Sequence, residues 1–283
     1  MVESIGGMKT LSSEARAAGK TVVLVPTMGY LHRAHMGLVE KAKTLGDLVV
    51  VSIMINPAQF GPKEDFKAYP RDLERDLEML GEAGVDVVFT PSAREMYPAG
   101  YQTFVDVVKL DGHLCGPRRP GHFRGVATVV TKFFNIVRPC AADFGLKDYQ
   151  QCLIIERLVE DLNMDVELHF GETVREADGL AMSSRNVHLD NEHREAAGVI
   201  PRSLEAAGEA FAAGERDGRK LSEMVKNMIE KEPLAVIDYV SVCGLDDLRD
   251  LDRIDGGALL AVAVRVGETR LIDNRILDQE RGG

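Results

Sequence analysis

The chain has 283 residues, of which 45% are hydrophobic and 28% are charged, a composition typical of a globular protein with one large or two modest domains. Its formal net charge of -11 argues against a surface that coats nucleic acid. No apolar run approaches the roughly 18 residues that a membrane helix needs, and the N-terminus lacks the pattern of an export signal. The sequence therefore predicts neither a nucleic-acid coat nor a membrane protein.

The first third of the chain predicts strands and helices in alternation. These elements are a strand at 21–25, a helix from His35 to Gly46, a strand at 48–55, a helix from Pro70 to about Gly84 and a strand at 86–90. The strands are apolar without alternation, which is typical of parallel strands that are buried on both faces. Short connections between such elements favour right-handed crossovers and a doubly wound sheet.

In the remaining chain the predicted order of helices and strands changes near Thr173. Up to that point the pattern gives a helix at 126–137, a strand through Phe144, a helix at 148–162 and a strand at 164–170. Beyond it follow helices at 191–213 and 220–231, then strands at 236–242, 259–266 and 270–276. We therefore predict an α/β protein, with a Rossmann-like doubly wound parallel sheet at 1–172 and a smaller α+β C-terminal domain at 173–283.

Three loops of the predicted sheet follow the carboxyl ends of strands, at 26–35, 56–61 and 144–148. Ligands of open α/β sheets bind beyond the carboxyl ends of the strands. The topology alone therefore predicts that these three loops line one crevice.

The first of these loops carries His32 and His35 at the entrance of a predicted helix, after the run Pro26-Thr27-Met28-Gly29. Unpaired backbone N–H groups and the positive end of the helix dipole favour an anion there, and two imidazoles could donate hydrogen bonds to a phosphate. A purely structural pair is the alternative, but the buried strand before it and the apolar helix after it favour function. No third ligand lies at metal-site spacing, so we predict no metal site here.

A second motif, Met182-Ser183-Ser184-Arg185, follows a turn. Its hydroxyls, backbone N–H groups and guanidinium suit a triphosphate, although such a run is by itself more often a solvated loop. The histidine loop gives it weight. Together the two motifs indicate a protein that grips ATP at the α-phosphate, which favours adenylyl or nucleotidyl transfer over the γ-phosphoryl transfer of kinases.

Other polar residues are open to two interpretations. Gly145 would let a ligand approach the backbone, and Lys147 supplies a positive charge for phosphate, while Asp148 could be only a helix cap. Gln59 and Gln151 suit either an acceptor-substrate pocket or the surface. The basic segment 118–125 could close over phosphates or anchor a subunit contact, with a solvated loop favoured for most of it. The charged run 63–67 is predicted to be solvated, and Asp72 and Asp76 are candidates for magnesium. The four cysteines lack C-x-x-C spacing, so we expect free thiols in a reducing cytosol.

The chain resembles the pantothenate synthetase family of the His-x-x-His nucleotidyltransferase superfamily. The resemblance rests on six segments: Pro26-Thr-Met-Gly-x-Leu-His-x-x-His35, Asn56-Pro-x-Gln-Phe-Gly61, Tyr69-Pro-Arg71, Arg119-Pro-Gly-His-Phe-Arg-Gly-Val126, Phe144-Gly-x-Lys-Asp-x-Gln-Gln151 and Arg175-Glu-x-Asp-Gly-Leu-Ala-x-Ser-Ser-Arg-Asn186. It implies an ATP-dependent ligase that joins D-pantoate to β-alanine through pantoyl adenylate, with Mg²⁺, in a cytoplasmic homodimer. Two positions depart from the family pattern: Ala34 replaces a usual glycine, and Leu146 replaces a commonly polar residue.

The resemblance also implies roles for individual residues. His35 matches the proton donor, and Gln59 and Gln151 match the pantoate-binding amides. The catalytic set comprises His32, His35, Lys147, Ser183, Ser184 and Arg185. The ATP-binding set comprises Met28, Gly29, Tyr30, Leu31, His32, Arg33, Ala34, His35, Gly145, Leu146, Lys147, Asp148, Val174, Met182, Ser183, Ser184 and Arg185. Two alternatives remain: another nucleotidyltransferase of the superfamily, which keeps the nucleotide on its product, and a non-catalytic ATP-binding module.

Overall fold

The computed structural model describes residues 1–62 and 64–278, which fall into two compact units. The first unit comprises Met1–Val108, Arg119–Leu146 and Gln151–Glu172. The second comprises Lys109–Arg118, Lys147–Gln150 and the described residues from Thr173 onward. All four cysteines are free thiols. Within the described ranges, no helix combines the length and the apolar character needed to cross a membrane.

A parallel sheet forms the centre of the first unit, as predicted. Its strands are Val22–Thr27 (β1), Leu48–Ile53 (β2), Val87–Phe89 (β3), Ala141–Gly145 (β4) and Glu167–Gly171 (β5). They pair in the order β3-β2-β1-β4-β5, and every pairing is parallel. Valine-rich runs suit the two central strands β1 and β2, because both of their faces are covered by helices.

Helices cover both faces of this sheet. The helices up to residue 161 are Ile5–Ala17 (α1), Arg33–Leu45 (α2), Leu73–Glu82 (α3), Ala93–Met96 (α4), Cys115–Arg118 (α5), His122–Val137 (α6) and Tyr149–Asp161 (α7). Apolar residues of α1, α6 and α7, such as Met8, Phe133 and Ile155, pack in one cluster with alternate strand residues. Val39 of α2 and Leu80 of α3 pack on the opposite face. The sheet is therefore doubly wound.

The order of the strands fixes where a ligand can bind. From β1 the chain winds outward through β2 to β3, and it then crosses back to β4 on the other side of β1. The boundary between β1 and β4 is thus the topological switch point, where open α/β sheets leave a crevice at the carboxyl ends of their strands. The loops after β1 and β4 meet this edge, and the loop after β2 lies beside them.

The second unit contains the three predicted strands, which form an antiparallel sheet. Its strands Ala235–Cys243 (β6), Ala258–Val266 (β7) and Thr269–Leu277 (β8) pair in chain order. The unit also contains the helices Asn191–Ala197 (α8), Val199–Ala212 (α9) and Gly218–Ile229 (α10). Leu204 of α9 and Leu221 of α10 pack with Leu260 of β7 in its apolar core.

Three local expectations are wrong or incomplete. The helix predicted at 191–213 is divided at Gly198, because Pro201 in the first turn of α9 has no N–H for a helical hydrogen bond. Helix α3 begins at Leu73 rather than at Pro70, since the Asp72 carboxylate accepts the Arg75 backbone N–H at 3.2 Å and caps the helix there. Helix α1 was not predicted.

Asp143 of β4 is a charged side chain inside this packing. It is completely buried, its carboxylate lies 3.7 Å from Lys41 Nζ, and neither oxygen has a hydrogen-bond partner among the described residues. Burial raises the pKa of Asp143 above 3.8, and Lys41 and His169 offset this only in part. The carboxyl of Asp143 therefore binds a proton more tightly in the native state than in the unfolded state. The protein loses stability as the pH rises from the unfolded pKa through the higher native pKa, because the buried group then ionises.

We expect Asp143→Asn to raise the free energy of unfolding at about pH 7, because the amide removes a buried charge whose pKa is raised. The gain should shrink as the pH falls through the raised pKa of Asp143, because the parent carboxyl is then protonated and uncharged. Urea unfolding across this range measures both effects, with the exposed Asp165→Asn as the control. A variant less stable than the parent at every pH would show that the Lys41 pair outweighs the cost of burial.

Candidate active site

The loop between β1 and α2 has an unusual backbone. Gly29 and Tyr30 both have positive φ angles, 80° and 51°, a conformation that is uncommon for a residue with a side chain. Thr27 fixes the start of the loop, because its hydroxyl donates to the Ser52 carbonyl at 2.7 Å and accepts the Gly29 N–H at 3.2 Å. The loop is thus tied to β2 before it enters α2.

The two histidines stand at the first turn of α2, as predicted. His32 is the N-cap residue and His35 is the third helical residue, and their rings stack with centroids 4.0 Å apart. The His32 backbone N–H donates to His35 Nδ1 at 3.3 Å. Because Nδ1 is the acceptor, the neutral His35 ring carries its proton on Nε2. His35 Nε2 is therefore a hydrogen-bond donor at the positive end of a helix.

Gln59 is brought to this loop by a short 3-10 turn, Pro57–Gln59, at the carboxyl end of β2. Its side chain is buried, its Nε2 lies 3.1 Å from the Met28 sulfur, and its Oε1 accepts Asn56 Nδ2 at 3.0 Å. Asn56 also caps the turn by accepting the Ala58 N–H at 3.2 Å. The loops after β1 and β2 are therefore in direct contact.

A layer of side chains behind Gln59 holds its backbone. His122 Nδ1 lies 2.9 Å from the Gln59 carbonyl oxygen, and His122 Nε2 lies 2.9 Å from Arg119 Nη1. Since a carbonyl only accepts and a guanidinium only donates, neutral His122 is fixed with its proton on Nδ1. Arg119 in turn forms two 2.8 Å hydrogen bonds with Glu64. Burial raises the pKa of Glu64, but the Arg119 pair outweighs it, so the net shift is downward.

This layer corrects two expectations from the sequence. The segment 118–125 is not a solvated loop at Arg119 and His122, and Glu64 in the run 63–67 is paired rather than free in solvent; Lys63 lies outside the described residues. The contacts join residues 55 to 63 positions apart, so no local pattern could reveal them. The signals in the sequence were a basic segment in an acidic chain and the family-like run from Arg119 to Val126.

Strand β4 ends at Gly145 and the next segment begins at Leu146, and both residues are half-buried in the first unit. A Cβ placed on Gly145 would meet no atom within 4 Å, so the backbone there is open to a ligand. Gln151 lies half-buried near the start of α7. Its neighbour Gln150 is buried in the second unit and donates to the carbonyl oxygens of Leu110 and His113, which is a structural role.

The second unit holds the remaining predicted residues. Val174 and Met182 lie in a hairpin, joined by a 2.9 Å hydrogen bond from the Met182 N–H to the Val174 carbonyl. Ser183 caps the short 3-10 turn Ser184–His188 by accepting the Arg185 N–H at 3.3 Å. The serine–arginine loop thus continues directly from an ordered hairpin.

Strand β8 anchors this hairpin. Arg175 forms hydrogen bonds of 2.7 and 3.1 Å with Asp273 of β8, and the adjacent Asn274 donates to the Lys147 carbonyl at 2.9 Å. Asp148 is exposed just before α7. Two successive residues of one strand therefore fix both Lys147 and the hairpin before the serine–arginine loop.

The predicted site residues divide between the units. The first unit carries the residues 28–35, Gln59, Gly145, Leu146 and Gln151, and the second carries Lys147, Asp148, Val174 and the residues 182–185. Across the described parts of the chain, no three side chains of His, Cys, Asp or Glu are grouped as a metal centre would require. The doubly wound sheet and the histidine pair at its switch point define a Rossmann-like α/β enzyme.

Comparison with known proteins identifies the family. The family model for pantoate-beta-alanine ligase matches residues 1–276. A pantothenate synthetase of Pelotomaculum thermopropionicum is 60% identical over 276 residues, with 98% of each chain covered. One of Carboxydothermus hydrogenoformans is 55% identical over 272 residues, with 96% of each covered. The chain belongs to the pantoate-beta-alanine ligase family.

Solved structures agree with this assignment. The crystal structure of pantothenate synthetase from Thermus thermophilus matches with a TM-score of 0.90 and 45% identity, over 97% of this chain and 98% of that one. A pantoate-beta-alanine ligase from Francisella tularensis, complexed with beta-gamma ATP and beta-alanine, matches with a TM-score of 0.80 and 31% identity, over 98% of both chains. The predicted fold class is thereby confirmed.

Proposed function

We propose that the chain joins D-pantoate to β-alanine in two steps driven by ATP. A pantoate carboxylate oxygen attacks the α-phosphorus and displaces pyrophosphate, which gives pantoyl adenylate. The β-alanine amine then attacks the acyl carbon, the bond to AMP breaks, and the amine loses a proton. Adenylation turns a poor leaving group into a good one, so the protein's task is to position reactants and stabilise charge. Membership of the family supports this proposal.

One structural observation carries the proposal for the first step. His35, with Nε2–H as a donor, lies in the first turn of the helix at the switch point, and the amide of Gln59 contacts Met28 of the preceding loop. A phosphate beside the helix start and a carboxylic acid beside Gln59 would thus be neighbours. We assign phosphate stabilisation to His32 and His35, and pantoate binding to Gln59 and Gln151.

The remaining contacts to ATP are proposed by residue type. Gly145 and Leu146 would let the nucleotide approach their backbone, and Lys147 and Arg185 would meet the charge of the phosphates. Val174, Met182, Ser183 and Ser184 would contribute backbone groups and hydroxyls, with Asp148 beside Lys147. We also propose that the residues 173–283 form a lid domain that contributes Val174 and the residues 182–185 to the reaction.

Mg²⁺ is proposed as the ion that accompanies ATP, because it prefers phosphate oxygens and water to a cage made wholly of protein ligands. Bound there, it would neutralise charge on the phosphate oxygens. The two carboxylates considered from the sequence do not fit as its ligands: Asp72 caps α3, and Asp76 accepts two backbone N–H groups. We further propose a cytoplasmic homodimer without nucleic-acid or membrane partners; light scattering would measure the dimer.

The decisive experiment supplies ATP, Mg²⁺ and pantoate with and without β-alanine and follows AMP. We expect AMP release to require the amine and to match the amount of pantothenate formed. A product that keeps the nucleotide would instead indicate another nucleotidyltransferase of the superfamily. ATP binding without turnover of any carboxylic acid would indicate a binding module, and either result would reject the proposal.

Gln151→Ala is expected to raise the KM for pantoate about tenfold or more, because a buried substrate group would lose a hydrogen-bond partner. The KM for ATP should change little, since Gln151 is assigned to pantoate alone. Initial rates at saturating ATP measure the KM for pantoate, with the exposed Gln102→Ala as a matched control. An unchanged pantoate saturation curve would remove Gln151 from the pocket.

A further inference from the structure

Asp76 of α3 is almost completely buried, at 1% exposure, and its carboxylate faces the β1–α2 loop. Oδ2 accepts the Tyr30 N–H and Oδ1 accepts the Leu31 N–H, both at 2.7 Å. Both oxygens are therefore engaged with successive backbone N–H groups of a loop 45 and 46 residues earlier in the chain. These are short, charge-assisted hydrogen bonds in a site shielded from water.

The loop conformation explains why a carboxylate belongs there. Positive φ angles at Gly29 and Tyr30 turn successive N–H groups toward one point, an arrangement that forms an anion-binding concavity. Asp76 fills that concavity from within the protein. A Cβ on Gly29 would lie 3.0 Å from Asp76 Oδ2 and 2.9 Å from Ile53 Cγ2, which shows how closely the loop backbone packs against α3 and β2. The Tyr30 and Leu31 amides are thus already bound by the protein.

Arg75 holds the same loop from its acceptor side. Its Nη2 donates to the Leu31 carbonyl at 2.8 Å, and its guanidinium lies 5.1 Å from the centre of the Tyr30 ring. Two adjacent residues of α3 thus bind both the N–H and the C=O of Leu31. His32, the next residue, is the N-cap of α2. Any shift of Asp76 or Arg75 that moves Leu31 would therefore also move His32, the next residue, and the start of α2.

We propose that Asp76, supported by Arg75, is a positioning residue that fixes the β1–α2 loop so that His32 and His35 face the phosphates of ATP. The proposal rests on the proposed function for the identity of the nucleotide. It replaces the interpretation of Asp76 as a magnesium ligand. Burial raises the pKa of Asp76, while the two amide hydrogen bonds and Arg75 oppose this shift.

The test compares ATP binding and turnover in the parent chain, Asp76→Asn and Asp76→Glu. In Asp76→Asn one amide acceptor becomes an NH₂ group that faces a backbone N–H, so we expect the Kd for ATP to rise about tenfold. We also expect kcat for AMP formation to fall about 10-fold or more, since misplaced groups lose rate steeply. Asp76→Glu retains two acceptor oxygens and should recover part of both. A merely structural residue would reduce the amount of folded protein without changing the Kd for ATP.

Two further variants of α3 serve as controls. Asp72→Asn should behave like the parent because asparagine also caps helices well. Arg75→Met keeps the stem but removes the donor to Leu31, and it should weaken ATP binding in the same direction; it decides the matter if Asp76→Asn does not fold. Parent-like Kd and kcat in Asp76→Asn, or a changed Mg²⁺ requirement with parent-like kcat at saturating Mg²⁺, would overturn the proposal. Calorimetry with ATP needs no pantoate, so failure of the proposed function would be seen separately.

Discussion

Replacing His35 by alanine is expected to lower the rate of pantoate adenylation by about 10² or more, as the loss of a charge-stabilising donor typically does. The physical reason is the tautomer: the His32 N–H donates to His35 Nδ1, so the neutral ring carries its proton on Nε2 and can donate it to a phosphate that gains charge. Pyrophosphate release from ATP and pantoate, followed at saturating ATP, measures this rate. Lys147→Ala should lower the same rate by about 10² or more, because the variant lacks the ammonium group that is assigned to the charge of the phosphates.

A matched variant separates chemistry from helix capping. His35→Asn supplies an oxygen that can accept the His32 N–H, but it has no group in the place of Nε2. We therefore expect it to be about as slow as His35→Ala while keeping the stability of the parent. If His35→Asn restored the rate, His35 would act by capping α2. Near-parent rates in both His35→Ala and Lys147→Ala would remove both residues from the mechanism.

Gly125→Ala is expected to cost about 1–3 kcal/mol of stability, as overpacking of a close contact typically does. A Cβ on Gly125 would lie 2.2 Å from the Ala58 carbonyl oxygen and 2.6 Å from Gln59 Cα, so the 3-10 turn has to move. Gly125 also accepts Asn56 Nδ2 at 3.0 Å, the same group that binds Gln59 Oε1. The KM for pantoate should therefore rise together with the loss of stability.

Urea unfolding and pantoate saturation measure the two effects of Gly125→Ala. Gly81→Ala is the control, because Gly81 is exposed in helix α3 and an added Cβ would meet no atom within 4 Å. That change should be neutral or stabilising by up to about 1 kcal/mol, since alanine favours a helix over glycine. Parent-like stability and pantoate KM in Gly125→Ala would show that the turn adapts freely and does not set the position of Gln59.

Much of the fold follows from local pattern. The apolar runs of β1 and β2 predict buried parallel strands, and alternation with helices predicts the doubly wound sheet. Local competition explains the exceptions. Pro201 divides one predicted helix, and the Asp72 cap moves the start of α3. Hydrophobic spacing reveals neither helix boundary, because it reports the apolar face of a helix and not the backbone hydrogen bonds at its ends.

The surroundings of the candidate site could not be predicted in the same way. His32 and His35 were recognisable because strand, loop and helix follow one another in sequence. Asp76 and His122 act on residues more than forty positions away, and their own neighbours carry no sign of it. Contacts of this kind form only when the strands of the sheet pair and bring distant loops together. The sequence therefore offered Asp76 only as a candidate for magnesium, whereas the fold gives its carboxylate two backbone N–H partners.

The ion pair between Arg175 and Asp273 has a consequence for how this protein tolerates shortening. Its partners are 98 residues apart, and the later one belongs to β8, the last strand in the described part of the chain. Trimming that strand would leave every predicted nucleotide contact in the sequence, yet it would release the hairpin that leads into the serine–arginine loop. Strand β8 thus holds in place a hairpin that lies about a hundred residues earlier in the chain.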